Sequence, residues 1–419
     1  MIAPLLVHEV IDARPLGRFQ CLAIGLCILV AILDGFDTQT IGMLAPSIAA
    51  SLGVPLTSFG PTFGAGLIGM LLGAVVLGPL ADRYGRKTMI VFSCVLFGSL
   101  SLATAYAASL EQLFVLRLLT GVGLGGALPN AIALASEYAP QRYARTTVTT
   151  LMCGMPLGAV LGGAVSAALL PRFGWQSVFI VGGVLPLAVA LLIAWIMPES
   201  ARFLIARGHD MARLSEIMRR IAPDLRANEA YRSADPTTAG VPIRLLFTEG
   251  RATGTILLWI PYFLNLVVLY FIVSWMPAVL ISAHHPTSVG IAAITAFSVG
   301  GVLSSVVQGA LMNRFGARRV LLCELLTYAA LALVLAAWPH DHALVVAVSF
   351  AIGAAVQGAQ AGFNALAAEI YPTRMRATGI GCAVGIGRIG SISGPSWAAC
   401  CLAGTGAPET FSWRASCRR

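Results

Sequence analysis

Long apolar segments recur along almost the whole of this 419-residue chain. Each is close to the roughly 20 residues that an α-helix needs to cross a bilayer. Eleven can be placed, near residues 19–45, 58–81, 88–108, 112–138, 146–170, 175–197, 253–282, 288–312, 317–338, 342–370 and 376–399. Only 11% of the residues are charged, against about 25% in a soluble domain. Lipid offers no hydrogen-bond partners, so backbone polar groups within a membrane must bond to each other, as they do in a helix. The pattern therefore predicts an all-α membrane protein.

A polar stretch divides the segments into two groups, with six before it and five after it. We therefore expect an N-terminal bundle at 1–199, a cytoplasmic linker at 200–252 and a C-terminal bundle at 253–399. The last residues, 400–419, form a tail of different composition. From Gly404 onward no apolar run is long enough to span a bilayer.

Arginine and lysine are distributed unequally between the short loops. Only Arg172 lies in the loops on one side of the membrane. The loops on the opposite side contain ten basic residues: Arg83, Arg86, Lys87, Arg142, Arg145, Arg314, Arg318, Arg319, Arg374 and Arg376. Cytoplasmic loops carry such an excess, so we expect a cytoplasmic N-terminus in a bacterial-type inner membrane. The arginines are scattered over short loops and face lipid headgroups, which argues against a nucleic-acid partner.

The two groups of segments contain an internal repeat. Gly78–Lys87 recurs as Gly309–Arg318 at a shift of 231 positions, and Glu137–Arg142 recurs as Glu369–Arg374 at a shift of 232. Gly126 then aligns with Gly358. Two landmarks at nearly one offset indicate two copies in the same orientation, with substrate bound at the midplane between halves that rock against each other.

These motifs resemble the major facilitator superfamily, and the resemblance covers about residues 19–398. Within it, the chain is similar to the aromatic acid:proton symporter family, whose substrates are hydroxylated benzoates and related aromatic carboxylates. The residues that carry this second resemblance are Asp34-Gly35-Phe36-Asp37, Arg117, Pro198–Leu204 and Gly387–Gly390. The resemblance implies two six-helix halves, and a last helix that is truncated or frameshifted here.

Asp34 and Asp37 stand inside the first apolar segment. Eight of the thirteen residues from Cys21 to Leu33 are Leu, Ile or Val and favour insertion by about 2.5 to 5 kcal/mol. Two aspartates near a helix centre would cost roughly 5 to 7 kcal/mol, so the pair must face protein or water unless it lies near a helix end and snorkels. Both lie on one helix face, where double ionisation is disfavoured. We expect them to couple transport to protons, as the resemblance also implies.

Substrate binding calls for a cation for the carboxylate and flat apolar walls for the ring. Arg117 and Arg388 are the basic residues inside spans, one in each half. Arg117 is equally compatible with a headgroup anchor near a span end. Phe36 is a candidate wall, among several aromatic residues that could equally be core. Gln360 and Asn364, together with Asn265, could bind a ring hydroxyl.

The repeated loops suggest a gate. In the first loop, glycine permits a tight turn and the charged groups can bind each other or helix ends, which makes a latch. A solvated turn with inside-positive charge is the alternative, and for the Glu–Arg pairs a structural role fits equally well. The predicted gating residues are Asp82, Arg83, Gly85, Arg86, Lys87, Glu137, Arg142, Arg314, Glu369 and Arg374.

Together these features predict a proton-coupled importer of an aromatic carboxylate such as 4-hydroxybenzoate. The expected partners are that small molecule, protons and the lipid bilayer, and we expect a monomer. The alternatives are a transporter of another metabolite or drug, and an inactive truncated remnant. No nucleophile elbow, phosphate loop or metal-ligand spacing appears, so we expect no enzyme, cofactor or metal. Glu324 in the ninth segment has no role in this scheme.

Overall fold

The computed structural model describes residues 5–207, 211–223, 231–232, 243–248, 250–337, 341–371 and 376–404. Arg374 and most of the tail, 405–419, lie outside this description, as does the side chain of Glu369. The predictions made for them are therefore not tested.

Fourteen α-helices make up most of the described chain. They are α1 (Val7–Asp12), α2 (Arg18–Leu52), α3 (Gly60–Tyr84), α4 (Arg86–Thr104), α5 (Leu110–Tyr138), α6 (Gln141–Phe173), α7 (Trp175–Ile196), α8 (Ala201–Arg207), α9 (Met211–Ile221), α10 (Ala252–Ser282), α11 (Thr287–Phe315), α12 (Ala317–Ala337), α13 (His342–Ile370) and α14 (Arg376–Gly404). Two short strands, β1 (Leu5–Leu6) and β2 (Tyr231–Arg232), pair in parallel. Among the described helices, nine are long and apolar enough to cross a membrane. The chain is therefore an all-α, multi-pass membrane protein.

Helix packing follows the repeat seen in the sequence. In the first half α3 packs on α5, α4 on α5 and α2 on α6. The equivalent pairs in the second half are α11 on α13, α12 on α13 and α10 on α14. The halves meet through α6 with α11, α3 with α14 and α2 with α10. This pattern supports the two-bundle division at 1–199 and 253–399 that we propose.

Glycines bring the paired helices close together at equivalent places. A Cβ atom on Gly121 would collide with the backbone of α3 at Gly66, and one on Gly353 would collide with the backbone of α11 at Phe297. Small residues are what allow such close helix contact within a membrane. The packing of each bundle therefore depends on these positions remaining glycine.

The two bundles are in close contact toward one end of the molecule. We call the end with the α3–α4 turn at Gly85 the latch end, and the other the far end. The bundles touch closely toward the far end, where the rings of Phe63 and Trp275 meet edge to face at 5.4 Å. Trp275 Nε1 also donates to the carbonyl oxygen of Pro395 at 3.0 Å. A Cβ atom on Gly42 would lie 2.5 Å from the carbonyl oxygen of Val273.

Candidate functional site

A buried ion pair joins the first and fourth long helices. Arg117 of α5 donates from one guanidinium nitrogen to Asp37 Oδ2 of α2 at 3.0 Å. The two residues are 3% and 2% exposed. Asp37 Oδ1 and Arg117 Nε are buried without partners, so the contact is single rather than bidentate. Buried charges are expensive unless they are paired, which explains why this pair forms in the apolar interior.

Further contacts fix the Arg117 guanidinium. Its second terminal nitrogen donates to Thr104 Oγ1 at 2.8 Å, and the group lies over the Phe179 ring, 5.1 Å from its centroid. Because the side chain is directed into the N-terminal bundle, it does not anchor lipid headgroups. Of the two roles left open by the sequence, the internal one agrees with the structure.

Asp34 is fully buried one turn before Asp37. It accepts a hydrogen bond from Thr38 Oγ1 at 3.2 Å, and its Oδ2 atom has no partner. The charge of Arg388, on α14 of the other half, acts on this carboxyl. Asp34 is the seventeenth residue of the 35-residue helix α2, near its middle. An acid near the middle of α2 and a guanidinium from the other half therefore interact through their charges.

Polar side chains of the C-terminal bundle continue the site beyond Arg388, whose charge also acts on Tyr262. The Tyr262 hydroxyl donates to Asn364 Oδ1 at 2.7 Å. Asn265 Nδ2 donates to Gln360 Oε1 at 3.0 Å, while the fully buried Asn265 Oδ1 has no partner. The predicted residues Gln360 and Asn364 thus lie in one hydrogen-bonded group with Asn265 and Tyr262.

A small cavity lies between the bundles beside the ion pair. Asp37, Arg117 and Tyr270 are among its lining residues, which come from both halves. Its volume is about 30 Å³. A water needs roughly 10–15 Å³, whereas small-molecule pockets usually exceed about 300 Å³. The cavity has room for water beside the charges but is well below the usual size of a small-molecule pocket.

Phe36 requires a correction, because it lies away from this cavity. It is buried in the N-terminal bundle, where its ring faces Gly182 of α7 and Gly162 of α6. Each helical position turns a side chain by about 100°, so Phe36 lies about 160° from Asp34 and about 100° from Asp37 around α2. Gly35 allows α6 to approach, since a Cβ atom there would collide with the backbone of Met155.

The first of the two repeated loops forms a compact set of contacts, which we call the latch, within one bundle. Arg86 forms an ion pair with Glu137, and Lys87 Nζ donates to the carbonyl oxygen of Ala194 near the end of α7 at 2.8 Å. Gly85 has φ +98°, which a side chain would strain, and Glu199 packs on it. Asp82 and Arg83 are exposed.

Glu199 is a latch residue that the sequence did not single out. It accepts from the backbone nitrogen of Lys87 at 2.9 Å and from that of Ser200 at 2.8 Å. Carboxylates favour helix N-termini, and Lys87 is the second residue of α4. The only signal in the sequence was its place in the Pro198–Leu204 motif.

Glu137 and Arg142, both predicted gating residues, bind different partners. Glu137 binds Arg86 and the Ser200 hydroxyl, whereas Arg142 donates to the backbone oxygen of Arg14. The chain turns between α5 and α6, so the two side chains leave in different directions. In the second copy, Arg314 is exposed and lies over the neighbouring Phe315 ring.

Comparison with known proteins agrees with this architecture. The profile described as Major Facilitator Superfamily matches residues 27–293 and 258–416. The chain therefore belongs to the major facilitator superfamily, whose members are membrane transporters.

Several relatives have named substrates. The chain is 39% identical over 403 residues to the 4-hydroxybenzoate transporter PcaK of Pseudomonas aeruginosa, covering 96% of this chain and 90% of that protein. It is 37% identical to a gallate transporter of Pseudomonas putida, covering 98% and 92%. It is 39% identical to the 3-(3-hydroxy-phenyl)propionate transporter of Escherichia coli, covering 92% and 88%.

Solved structures share the fold at low sequence identity. The xylose transporter XylE from E. coli superposes with a TM-score of 0.69 at 17% identity, covering 93% of this chain and 96% of that one. A D-xylose-proton symporter gives a TM-score of 0.68 at 18% identity, covering 90% and 89%. At these identities the likeness concerns the fold alone.

Proposed function

We propose that this protein imports an aromatic carboxylate, such as 4-hydroxybenzoate or a related aromatic acid, together with protons across the inner membrane. The observation that carries the proposal is the fully buried Asp34 carboxyl near the middle of α2, which has one oxygen without a partner and is acted on by the charge of Arg388 from the other half. The names of the relatives from three bacteria support the aromatic acid class.

Arg388 is the better of the two predicted cations for the substrate carboxylate. Arg117 is already held by Asp37 and Thr104, whereas no hydrogen bond or ion pair of the Arg388 side chain occurs among the described residues. A guanidinium binds a carboxylate through two parallel hydrogen bonds. We assign Arg117 to positioning Asp37, and we no longer assign Phe36 to the substrate.

The ring hydroxyl of the substrate is assigned to the polar group on α10 and α13. Asn265 Oδ1 is a buried acceptor without a partner, and leaving it so is unfavourable. A phenolic O–H would satisfy it. Gln360 and Asn364 lie beside it and complete the set of donors and acceptors.

Asp34 is the proposed proton carrier, with Asp37 as its neighbour in the pair. An ionised Asp34 competes with the substrate carboxylate for Arg388, and a proton on Asp34 releases the arginine to the substrate. Bringing a monoanion into a negative interior costs about 2.3 kcal/mol per 100 mV. One co-transported proton removes that cost. In this scheme, proton coupling and substrate binding both use the Arg388 guanidinium.

The bundle contact at the far end supports a proposal of alternating access. The latch end, with the N-terminus, is placed in the cytoplasm on the basis of its basic loops. The bundle contact at Trp275 then closes the outer side, and separation there would admit substrate. We assign the latch residues to this movement, and the transporter is proposed to work as a monomer.

Uptake of radiolabelled 4-hydroxybenzoate by a bacterial host without its own uptake system tests the proposal. We expect accumulation that an uncoupler abolishes and that excess gallate reduces. Arg388→Gln should lose uptake at least tenfold, while Arg172→Gln, an exposed arginine at the far end, serves as the matched control. If the uncoupler does not change uptake, proton coupling is rejected. If Arg388→Gln and Arg172→Gln show equal uptake, the assignment of Arg388 to the substrate site is rejected.

A further inference from the structure

Glu324 is an acid within the C-terminal bundle that the proposed mechanism does not use. It lies on α12, eight residues into the helix, on the side that faces α11 and α13. Gln308 of α11 donates from Nε2 to Glu324 Oε2 at 3.1 Å. Gln308 is 2% exposed, and its own carbonyl oxygen, Oε1, is buried without a partner.

The two side chains meet over one glycine. A Cβ atom on Gly358 of α13 would lie 2.7 Å from Glu324 Oε1 and 3.3 Å from Gln308 Oε1. Two acceptor oxygens, Glu324 Oε1 and Gln308 Oε1, thus lie close to Gly358. A carboxylate can only accept hydrogen bonds, but a carboxylic acid can also donate one. A proton on Glu324 would supply the donor that Gln308 Oε1 lacks.

The internal repeat shows that this arrangement is specific to the second half. Gln308 and Glu324 correspond to Leu77 and Ser93 at the same shift of 231, and Gly358 corresponds to Gly126. The structure agrees with this alignment, since a Cβ atom on Gly126 would lie 2.7 Å from Leu77 Cβ and 2.8 Å from Ser93 Oγ. At the equivalent position beside Gly126, the first half has an apolar residue, Leu77, and a small residue, Ser93. An amide and an acid are therefore not needed for packing.

The charges around Glu324 do not favour its ionised form. On α12, Cys323 is exposed on an adjacent face and Tyr328 is one turn further on. Arg314, Arg318 and Arg319 are exposed toward the latch end. Within the described part of α11 and α13, the groups that face the acid are the uncharged Gln308 and Gly358. An acid at membrane depth without a cation is a candidate for proton binding.

We propose that Glu324 and Gln308 form a second proton-binding site, in which Glu324 accepts a proton and gives it up during the transport cycle. In the protonated state the Glu324 hydroxyl donates to Gln308 Oε1 while Gln308 Nε2 donates to the other Glu324 oxygen. The proton comes from water and returns to water, so no other reactant is required. The part in transport rests on the proposed proton-coupled function, whereas proton binding itself does not.

Infrared spectroscopy of the full-length protein in lipid vesicles tests proton binding directly. The carboxylic acid band of the wild type should lose one component in Glu324→Gln, which keeps the shape of the protonated side chain. A second variant, Glu324→Ser with Gln308→Leu, introduces the residue pair found in the first half and should lose the same component of the acid band. An acid band that is identical in wild type and both variants would overturn the proposal.

Proton counting tests the part in transport. In proteoliposomes with labelled 4-hydroxybenzoate, the pH gradient and potential at which flux reverses give the protons moved per substrate. Both variants should move one proton fewer than the wild type, and an unchanged count would overturn a role in coupling. If the wild type itself moves no protons, the proposed function fails, and the infrared band still decides whether Glu324 binds a proton.

Discussion

A double-mutant cycle can measure the coupling energy of the ion pair between Asp37 and Arg117. The atoms are 3.0 Å apart and both side chains are almost completely buried. At an effective dielectric constant of about 20, unit charges 4 Å apart attract by about 4 kcal/mol. Removing one partner of a buried pair typically costs about 3–5 kcal/mol, because the other charge remains uncompensated. We therefore expect Arg117→Met to destabilise the protein by about that amount.

The paired variant separates this effect from lost packing. Asp37→Asn with Arg117→Met removes both charges and should recover about half or more of the stability lost in Arg117→Met alone, which corresponds to a coupling energy of about 2 kcal/mol or more. Reversible unfolding in detergent, followed by tryptophan fluorescence, provides the measurement. If the two substitutions simply add, the contact carries no coupling energy, and the assignment of Arg117 as the partner of Asp37 is refuted.

Two further predictions concern transport. Asp34→Asn should reduce proton-driven accumulation strongly, because one coupled proton is lost, while exchange of labelled for unlabelled substrate across the membrane continues, because the carboxyl is needed only for the proton; accumulation at the wild-type level would remove Asp34 from the mechanism. Arg388→Lys keeps the charge but loses the two parallel hydrogen bonds, so KM for 4-hydroxybenzoate should rise about tenfold, equivalent to about 1.4 kcal/mol. An unchanged KM in proteoliposomes would make Arg388 a structural residue.

Periodicity and repeats made the helices and their equivalence predictable from the sequence. The long apolar runs located the helices because a bilayer fixes their length. The shifts of 231 and 232 positions matched pairs such as α3 with α5 and α11 with α13. The positions of Gly121 and Gly353 show why: each marks where two backbones touch, and such a contact must recur wherever the fold is repeated.

Side-chain partners were harder to predict because they depend on helix rotation and crossing. The sequence correctly placed Asp34 and Asp37 on one face, but nothing in it pairs Asp37 with a residue 80 positions away. Glu137 and Arg142 are close in sequence, yet Glu137 binds Arg86 and Arg142 binds the backbone oxygen of Arg14. Phe36 was a candidate wall because it is aromatic, and the structure buries it within the N-terminal bundle.

Gly42 offers a test of the movement between the bundles. Its Cα lies against the α10 backbone at Val273 and Ser274, and an added side chain would meet main-chain atoms that cannot rotate away. Gly42→Val should therefore prevent the closing of the far end and hold the transporter open on that side. Thr38 lines the cavity next to this contact, so a Thr38→Cys substitution reports whether water reaches it.

The expected result is several-fold faster labelling of that cysteine from the outer side by a membrane-impermeant thiol reagent in Gly42→Val, together with loss of transport. Gly25→Val is the matched control, because Gly25 lies on the same helix with no atom within 4 Å of an added Cβ. The same variants without Thr38→Cys give the background from native cysteines. Slower labelling in Gly42→Val than in the control would mean that the substitution closes the outer path, and the assignment of the far end as the outer gate would fail. Equal labelling with normal transport would mean that the two backbones do not need to touch during the cycle.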